Sequence, residues 1–370
     1  MAAAPDPRLS AALNFRKALP SRIRRLAAFL CAAQAGAALA GALLAPAPAA
    51  AADDSSTVTA QFENDRVANT DRHYTNGWRI TWLSGKKELP DWAEKLGPLI
   101  DWPSFFARAP ETRVSRRVGL ALGQDLYTPS DTDTRDPLPD DQPYAAWLYG
   151  ALTLQSAYTN DKGTSRLDTF EIDLGVVGPA ALGKQTQNGF HAIINSPRAN
   201  GWKNQLPDEP AFVVAVERKL RLPLIGATQG DDWGVDVLPF AGAYGGTVLT
   251  AFSTGAIFRF GQGLARDFGA PRFRPNMASS LYFQSERGFA WYVFGGAEGR
   301  AVLHDIFLDG STFRRSQSVD KRTFLADYHV GAAVVWGDWR LSYTQVFRGR
   351  EFEGQDKADR FGALSISYRF

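Results

Sequence analysis

Three features of the residue pattern predict an all-β protein, a closed antiparallel transmembrane β-barrel. Apolar residues alternate with polar or small ones over segments of roughly eight residues, all along the chain after residue 52. The opposite faces carry ionisable residues such as Glu171, Asp173, Asp236 and Arg340, which suit a wet lumen better than a dry core. Aromatic residues make up 12% of the chain and cluster near the ends of predicted strands, as the girdles of membrane barrels do.

The alternation is strict enough to place strands. In TFEIDLGVV, for example, Phe170, Ile172 and Leu174 alternate with Glu171 and Asp173. Similar patterns are consistent with ten to fourteen strands, and twelve is expected because bacterial barrels normally have an even number. The predicted segments are residues 57–63, 77–84, 118–127, 146–157, 169–177, 211–218, 234–251, 254–261, 281–297, 329–337, 339–347 and 361–370.

The C-terminal segment distinguishes a membrane barrel from a soluble β-sandwich, which could show the same alternation. Leu364, Ile366, Tyr368 and Phe370 lie on one side of FGALSISYRF, and the chain ends in Phe. Such an end resembles the assembly signal of outer-membrane barrel proteins. Only a closed barrel leaves no unpaired strand edge in lipid, so a single barrel domain over residues 53–370 is predicted.

Residues 1–52 have the features of a secretory signal peptide. Basic residues such as Arg22, Arg24 and Arg25 precede an apolar run rich in Ala and Gly, and small residues follow in APAPAA. The alternative is a membrane anchor, but Gln34 interrupts the run and a cleavage-like Ala-x-Ala end follows at once. Cys31 is the single Cys, so the predicted mature chain has neither a disulfide nor a Cys-based zinc site.

The charge balance argues against nucleic acid as a partner. The whole chain has 41 Lys and Arg residues and 39 Asp and Glu residues. Removal of residues 1–52 leaves 35 basic and 38 acidic residues, a net charge of −3. Nucleic-acid binding proteins usually present a basic footprint, which this composition lacks.

A polar cluster at the end of the first predicted strand is the first candidate site. TVTAQFEND delivers Asn64 and Asp65 to one rim or to the upper lumen, and YTNGWRITW returns Thr75 beside them. Asp65 is able to ligate a hard cation such as calcium, and Asn64 or Thr75 to donate a hydrogen bond to an oxyanion. Asn, Asp and Thr are also common turn residues, and that simpler interpretation holds for each residue alone.

The second candidate site lies in residues 178–210. QTQNGFH predicts a short helix, in which Gln187 and His191 share one face because they are four residues apart. A His is suited to act as a general base near neutral pH, although an isolated His is more often a structural residue. The structural interpretation suits His304 and His329, whereas that of His73 stays open.

Seven segments, in this order and spacing, resemble the LpxR-type lipid A 3′-O-deacylase family of Gram-negative outer membranes: FEND, TDRHYTNG, GQDLYTP, DDQPYAAWLY, GVVGP, QTQNGFH and GWKNQLPDEP. The similarity runs from about residue 57 to the C-terminus and is densest up to residue 210. The resemblance implies a twelve-stranded outer-membrane barrel with a calcium-dependent site near its outer rim. It also implies a mechanism similar to that of secreted phospholipases A2, in which a His activates water. Lipid A and lipopolysaccharide are the implied partners, and the chain is expected to act as a monomer.

The resemblance implies a role for each candidate residue. His191 is the general base and Asp65 a calcium ligand, while Asn64 and Thr75 support the ester or the metal shell. Gln187 orients His191 or the substrate.

Two departures from the family pattern stand out. The position of an acid that follows the His in related sequences is occupied by Pro197, so that partner is absent or is supplied by Asp208 or Glu209. Gln142 stands where many relatives have an Arg that contacts phosphate or stabilises the structure. Arg135, in the loop after YTPSD, is the remaining candidate for binding a phosphate.

Two alternative functions remain open. HYTNG resembles a segment of outer-membrane phospholipases A, with Thr75 in place of their nucleophilic Ser, although QTQNGFH and GWKNQLPDEP are not part of that pattern. The other alternative is a catalytically silent barrel, either a pore or a structural protein, because a barrel of this size does not by itself imply any activity.

Overall fold

The computed structural model describes residues 55–65, 73–85, 95, 113–159, 165–226, 233–271, 280–284 and 288–370. The predicted signal peptide, residues 1–52, lies outside the described residues. The strands are β1 (Thr57–Asn64), β2 (His73–Leu83), β3 (Arg113–Thr128), β4 (Ala145–Thr159), β5 (Ser165–Val177), β6 (Glu209–Gly226), β7 (Trp233–Gly246), β8 (Leu249–Gln262), β9 (Phe289–Asp305), β10 (Phe324–Trp336), β11 (Trp339–Arg348) and β12 (Asp359–Arg369).

These twelve strands form one closed antiparallel barrel, which confirms the predicted fold and strand number. Each strand pairs with its neighbours in sequence, and β1 closes the sheet against β12, from Thr57 opposite Arg369 to Asn64 opposite Gly362. We call the end of the barrel that carries the connections after β1, β3, β5, β7, β9 and β11 the loop rim. The terminal rim is the end that carries residues 55–56 and Phe370.

Alternation along the strands separates an outer face from a lumen face. On β3, Leu120 and Leu122 are 55% and 52% exposed, whereas Gly123 and Asp125, at alternate positions of the same strand, are buried. A barrel surrounded by lipid needs this arrangement, with apolar side chains outside and polar ones inside. The exposed Leu side chains therefore mark the outer face of β3.

Two predicted segments differ from the observed strands. Residues 234–251 contain a hairpin, in which β7 ends at Gly246 and β8 starts at Leu249. The segment was predicted as one strand because apolar and polar residues alternate across this short connection. The pair Gly245-Gly246 was the only local turn signal. The segment predicted to start at residue 281 begins its strand at Phe289, because residues 280–284 lie inside the barrel as part of the β8–β9 connection.

The described parts of the connection between β8 and β9 lie inside the barrel at the terminal rim. These parts, residues 263–271 and 280–284, are buried almost throughout. Arg340 of β11 donates from Nη2 to the carbonyl oxygens of Ser280 and Leu281, at 3.0 and 3.1 Å. Arg259 forms ion pairs with Asp236 and with Asp267 of the connection. Side chains from the wall thus hold this segment through both its backbone and its charge.

Two further layers fill the lumen above this connection. At mid-height, Arg79 and Glu171 form a bidentate ion pair, with N–O distances of 3.0 and 2.8 Å. Towards the loop rim, Phe307 of a short helix, Ile306–Asp309, stacks on Tyr127 with ring centroids 3.7 Å apart. The predicted polar lumen is therefore present, with an ion pair at mid-height and an aromatic stack towards the loop rim.

Exposed aromatic residues lie where strands meet the terminal rim. Trp233 begins β7, Phe289 begins β9, Trp336 ends β10 and Trp339 begins β11, and each is more than half exposed. This is the position of an interfacial aromatic girdle, as predicted from the composition.

The helical elements in the described part of the chain are short. The helix α1 (Gly183–Ile194) lies in the β5–β6 connection and α2 (Ile306–Asp309) in the β9–β10 connection. Short 3₁₀ turns occupy Pro179–Ala181, Trp202–Asn204 and Leu264–Arg266. Within the described parts of the chain, no helix is long and apolar enough to cross a bilayer.

Candidate active site

A polar patch occupies the outer face of β1, β2 and β3 at the loop rim. Asn64 lies opposite Asn76 in the ladder. It is two residues after Phe62, whose side chain faces outwards, so Asn64 is on the same outer face of β1. Between Tyr74 and Asn76 the β2–β3 register shifts, which makes Thr75 the extra residue of a β-bulge. Thr75 Oγ1 is 2.7 Å from Thr128 Oγ1 of β3. The sequence left the rim and the upper lumen as alternatives for this cluster, and Asn64 lies on the outer wall near the rim.

The connection between β5 and β6 packs against the same outer wall. Gln124, which shares the outer face of β3 with Leu122, donates from Nε2 to the carbonyl oxygen of Ala181 at 2.5 Å. Its Oε1 accepts a hydrogen bond from Trp78 Nε1 of β2. Gly183, at the start of α1, lies so close to the wall that a Cβ there would be 2.5 Å from the Cβ of Ala146. A residue without a side chain is therefore needed for α1 to approach β4.

Helix α1 lies beside the end of β1 that carries the first predicted cluster. It contains Gln187 and His191, as the QTQNGFH pattern predicted, and both are 2% exposed. The ring of Phe190 lies 5.9 Å from that of Phe62, two residues before Asn64 on the same face of β1. The site is thus a cleft between the outer wall and α1, not a chamber in the lumen.

The imidazole of His191 is oriented by a backbone carbonyl. His191 Nδ1 is 2.5 Å from the carbonyl oxygen of Pro197. A carbonyl only accepts hydrogen bonds, so Nδ1 carries the proton and the lone pair of a neutral ring is on Nε2. Pro197, which stands where related sequences have an acid, therefore still provides a hydrogen-bond acceptor for His191, through its main-chain carbonyl.

A local turn and one side chain bring Pro197 to His191. Asn195 ends α1 in the left-handed conformation, with φ 55°, and the chain turns back, so that Ser196 N–H donates to the carbonyl oxygen of His191. Asn188 then binds the returning segment at both atoms of its amide, because Oδ1 accepts from Ala199 N–H at 2.9 Å and Nδ2 donates to its carbonyl oxygen.

Asp208 and Glu209, the alternative partners for His191, have other roles. Asp208 Oδ1 accepts a hydrogen bond from Ala180 N–H at 2.7 Å, and its carbonyl oxygen accepts one from Arg314. Glu209 Oε1 accepts a hydrogen bond from Thr312 N–H. Both carboxylates therefore fix connections at the loop rim, which favours the alternative that the acidic partner of His191 is absent.

Gln187 has a defined partner on one side of its amide. Trp202, in the 3₁₀ turn after α1, donates from Nε1 to Gln187 Oε1 at 2.7 Å. Trp202 is itself buried in a cluster with Leu126, Tyr144 and Ala146, which anchors the turn to the wall. The amide oxygen of Gln187 is therefore held by the buried indole of Trp202.

Asp65 and Asn64 offer oxygen ligands of the kind that calcium prefers. Both side chains are buried, at 2% and 3% exposure, at the end of β1. Among the residues that the structure describes, no group of three or more His, Cys, Asp or Glu side chains is placed to hold a metal ion. Calcium also takes amide and backbone carbonyl oxygens and water, so a site built on Asp65 would depend on those ligands. Residues 66–72, which follow Asp65, lie outside the described part of the chain.

Arg135 lies on the loop next to the site. Its side chain is exposed, and its carbonyl oxygen accepts a hydrogen bond from Asn204 Nδ2 at 2.8 Å. Asn200 N–H donates to the carbonyl oxygen of Thr132 in the same loop. The loop after β3 and the segment after α1 therefore support each other, with a guanidinium on their outer surface. Gln142 in the same loop is buried, so its side chain faces the protein interior.

A His between two carboxylates joins the loop-rim ends of β2 and β12 to the connection between β3 and β4. His73 Nδ1 is 2.7 Å from Asp359 Oδ2, and its Nε2 is 3.3 Å from Asp141 Oδ1. Burial raises the pKa of Asp141, but hydrogen bonds from His73 and Ser130 outweigh this effect and lower it from 3.8 to about 2. The open question about His73 thus has a structural answer, because it is part of an ion-pair clamp.

Sequence reasoning missed four side chains of the cleft: Gln124, Thr128, Asn188 and Trp202. Trp202 and Asn188 belong to the segments GWKNQLPDEP and QTQNGFH, so the clustering of polar and aromatic residues there was a usable signal. Gln124 and Thr128 belong to the segment GQDLYTP on β3, and the pairing of β3 with β2 gives them a place in the site.

Comparisons with known proteins agree with this architecture. The sequence of residues 36–370 matches the family described as outer membrane protein LpxR. The structure is similar to that of LpxR from Salmonella typhimurium, with a TM-score of 0.66 and 19% identity, over 85% of this chain and 100% of that one. The β-domain of the Bordetella autotransporter BrkA gives a TM-score of 0.43 at 11% identity, covering 86% of this chain and 100% of that one. No curated protein sequence matches. The family match covers most of the chain, and the fold is a twelve-stranded barrel. The chain therefore belongs to the LpxR family of Gram-negative outer-membrane proteins.

Proposed function

We propose that the protein is a calcium-dependent lipid A 3′-O-deacylase, which hydrolyses the ester that links the 3′-acyloxyacyl group to the sugar. The observation that carries this proposal is the orientation of His191, whose Nδ1 is bonded to the carbonyl oxygen of Pro197 in a cleft on the outer wall. A neutral imidazole with its lone pair on Nε2 is the form that a general base requires.

The position of the cleft suits a lipid substrate. Lipid A has its acyl chains in hydrocarbon and its phosphates at the membrane surface. The cleft lies on the outer wall, and exposed apolar side chains flank it, Leu182 just before α1 at 48% and Ile193 within α1 at 75%. Phe62 and Phe190 continue this apolar surface towards Asn64. An acyl chain could therefore reach His191 without leaving an apolar environment.

The reaction needs one water molecule and one general base. His191 Nε2 takes a proton from water as the oxygen attacks the ester carbonyl, and Pro197 stabilises the resulting imidazolium through Nδ1–H. When the tetrahedral intermediate collapses, the C–O bond to the sugar breaks and His191 returns the proton to the departing 3′-oxygen. The products are the free acyloxyacyl acid and a 3′-hydroxyl group, so atoms and protons balance.

Asp65 is proposed as the calcium ligand, with Asn64 and Thr75 as polar supports. Carboxylate, amide and hydroxyl oxygens are the hard ligands that calcium prefers, and all three side chains are buried at this end of the wall. Calcium, when bound, would act as a Lewis acid that polarises the ester carbonyl. Thr75 already has its hydroxyl fixed by Thr128, which limits the directions in which it can donate.

Arg135 is proposed to bind a phosphate of the substrate. Its exposed guanidinium lies on a loop that hydrogen-bonds the segment after α1, so a phosphate held there would be close to the mouth of the cleft. Arginine recognises phosphate through several fixed N–H donors.

Mass spectrometry of lipid A tests the proposal directly. The detergent-folded protein should remove one acyloxyacyl group in the presence of calcium and none in the presence of a chelator. The variant His191→Ala should lose activity by roughly 10²- to 10⁴-fold, the usual contribution of a general base. An unchanged lipid A, after incubation with protein shown to be folded, would contradict the proposal.

Neither alternative function gains support from the structure. In HYTNG, the hydroxyl of Thr75 is bonded to Thr128 and the ring of His73 to Asp359 and Asp141, so the segment does not form a nucleophile–base pair. For a pore, the lumen would have to be open, yet Arg340 and Arg259 hold the β8–β9 connection inside it.

A further inference from the structure

The amide of Gln187 has only one possible orientation, because of the chemistry of its neighbour. The indole N–H of Trp202 is a donor and has no acceptor capacity, so the group that faces it at 2.7 Å must be the amide oxygen. The NH₂ group of Gln187 consequently points away from Trp202. The usual ambiguity between the two ends of a Gln amide is thereby removed.

The NH₂ group of Gln187 is buried and has no hydrogen-bond partner among the residues that the structure describes. A buried donor without a partner costs free energy, and a substrate group that accepted its hydrogen bond would remove this cost. Gln187 and His191 are one helical turn apart on the same buried face of α1. That face therefore presents an amide donor beside an imidazole whose lone pair is on Nε2.

We infer that Trp202 is a positioning residue that fixes the amide of Gln187, so that its NH₂ group donates to the oxyanion of the tetrahedral intermediate. The inference rests on the proposed function and assigns a task to a residue that was not among the predicted site residues. Without the indole N–H, the amide is free to rotate, and its carbonyl oxygen would then face the developing negative charge and repel it.

The packing of Trp202 supports a positioning role. Its ring lies 5.0 Å from that of Tyr144, and Gly183 of α1 leaves room for it, since a Cβ at Gly183 would lie 2.5 Å from Trp202 Cη2. The indole is therefore held against both the wall and the helix that carries Gln187. A donor fixed before the reaction loses little free energy in reorganisation, which is how oxyanion stabilisation becomes effective.

The test compares the kinetics of Trp202→Phe with those of the wild type on purified lipid A. Removal of one oxyanion donor usually costs about 10²- to 10³-fold in kcat, and a rotating amide should cost roughly ten- to a hundredfold, with KM nearly unchanged. The matched control is Trp147→Phe, because Trp147 is equally buried and its Nε1 has no hydrogen-bond partner in the described structure. Wild-type kcat in Trp202→Phe would overturn the inference.

A double-mutant cycle separates positioning from packing. If Trp202 acts through Gln187, then Trp202→Phe should cause no further loss of kcat in a Gln187→Leu background. An equal loss in both backgrounds would overturn the inference, because it would mean that Trp202 acts on folding or packing alone.

Gln187→Glu provides an answer even if Trp202→Phe does not fold. This variant keeps an acceptor for Trp202 and removes the NH₂ donor, so kcat should fall as far as in Gln187→Leu. Retained activity in Gln187→Glu would overturn the inference. An inactive wild type would instead refute the proposed function, which the wild-type measurement reveals separately.

Discussion

His191 Nδ1 lies 2.5 Å from the carbonyl oxygen of Pro197, so a main-chain atom takes the place of an acidic side chain. Such a bond fixes the tautomer of the ring and its direction, as a carboxylate does in many catalytic triads. It differs in charge, because a carbonyl stabilises the imidazolium less strongly than an anion. The side chain at position 197 is then of little consequence, whereas the path of the backbone is essential.

The first prediction concerns this backbone path. Pro197→Ala should keep kcat within roughly threefold of the wild type, because the carbonyl remains, whereas Asn188→Ala should lower kcat by about tenfold or more through loss of alignment. Asn188 is the residue whose amide binds Ala199 on both sides, and thereby holds the segment that contains Pro197. Steady-state kinetics on lipid A measures both variants. A large loss in Pro197→Ala, together with full activity in Asn188→Ala, would contradict the assignment.

The second prediction concerns calcium. Asp65→Asn removes the proposed anionic ligand, so the calcium concentration for half-maximal activity should rise by about tenfold or more. Calcium should also stabilise the wild type against heat in a concentration-dependent manner and stabilise the variant less, because a ligand that binds the folded state alone shifts the unfolding equilibrium. Asp133→Asn, in the exposed loop after β3, is the control. An unchanged calcium requirement in Asp65→Asn would exclude Asp65 as a ligand.

The third prediction concerns the pH dependence of stability. The pKa of Asp141 is lowered from 3.8 to about 2 by hydrogen bonds from His73 and Ser130, which outweigh the effect of burial. A carboxyl with a lowered folded-state pKa stabilises the fold above its unfolded value, and this stabilisation is lost as the pH falls from about 4 towards 2. The contribution at neutral pH is on the order of 2 kcal/mol.

Thermal unfolding in detergent between pH 2 and pH 7 checks this contribution. Asp141→Asn should unfold at a lower temperature than the wild type at pH 7, and the difference should shrink as the pH approaches 2. Asp140→Asn, an exposed neighbour, serves as the matched control. If the Asp141→Asn difference were independent of pH, the assignment of the lowered pKa would be wrong.

The fourth prediction concerns the lumen. Reconstituted in a planar bilayer, the wild type should show no steady ion conductance, because the described parts of the β8–β9 connection lie inside the barrel at the terminal rim. Arg340→Ala removes two hydrogen bonds to the carbonyl oxygens of Ser280 and Leu281 and should produce intermittent openings. Arg350→Ala, an exposed residue of the last connection, is the control and should stay closed. A wild type with stable open channels would favour the pore that the sequence left as an alternative.

The fold was predictable because its signals are local. Leu120 and Leu122 are apolar and their neighbours are small or polar, which requires only alternation along one strand. The side on which the site lies was not predictable in the same way. Whether Asn64 faces outwards or into the lumen depends on how β1 pairs within the closed sheet. The position of Thr75 depends on the bulge of β2 against β3.

The chemistry of the site was only partly encoded in side-chain patterns. The spacing of Gln187 and His191 predicted their common face on a helix, which the structure confirms. The acceptor for His191 is a backbone carbonyl, and no residue pattern reveals such an atom. Trp202 was visible in the sequence, but its bond to Gln187 spans fifteen residues and depends on a reversal of the chain and on packing against the wall.

Hydrolysis of lipid A in ¹⁸O-labelled water, with mass spectrometry of both products, tests the central claim most directly. The account predicts that the folded protein, with calcium, releases the 3′-acyloxyacyl acid with one ¹⁸O in its carboxyl group and leaves an unlabelled 3′-hydroxyl on the sugar. It also predicts that His191→Ala releases neither product. Label in the 3′-hydroxyl instead of the acid would mean that water breaks the bond between C3′ and the ester oxygen, and a new acyl ester in place of the free acid would mean transfer to another acceptor. An unchanged substrate would mean that the cleft serves a different ligand.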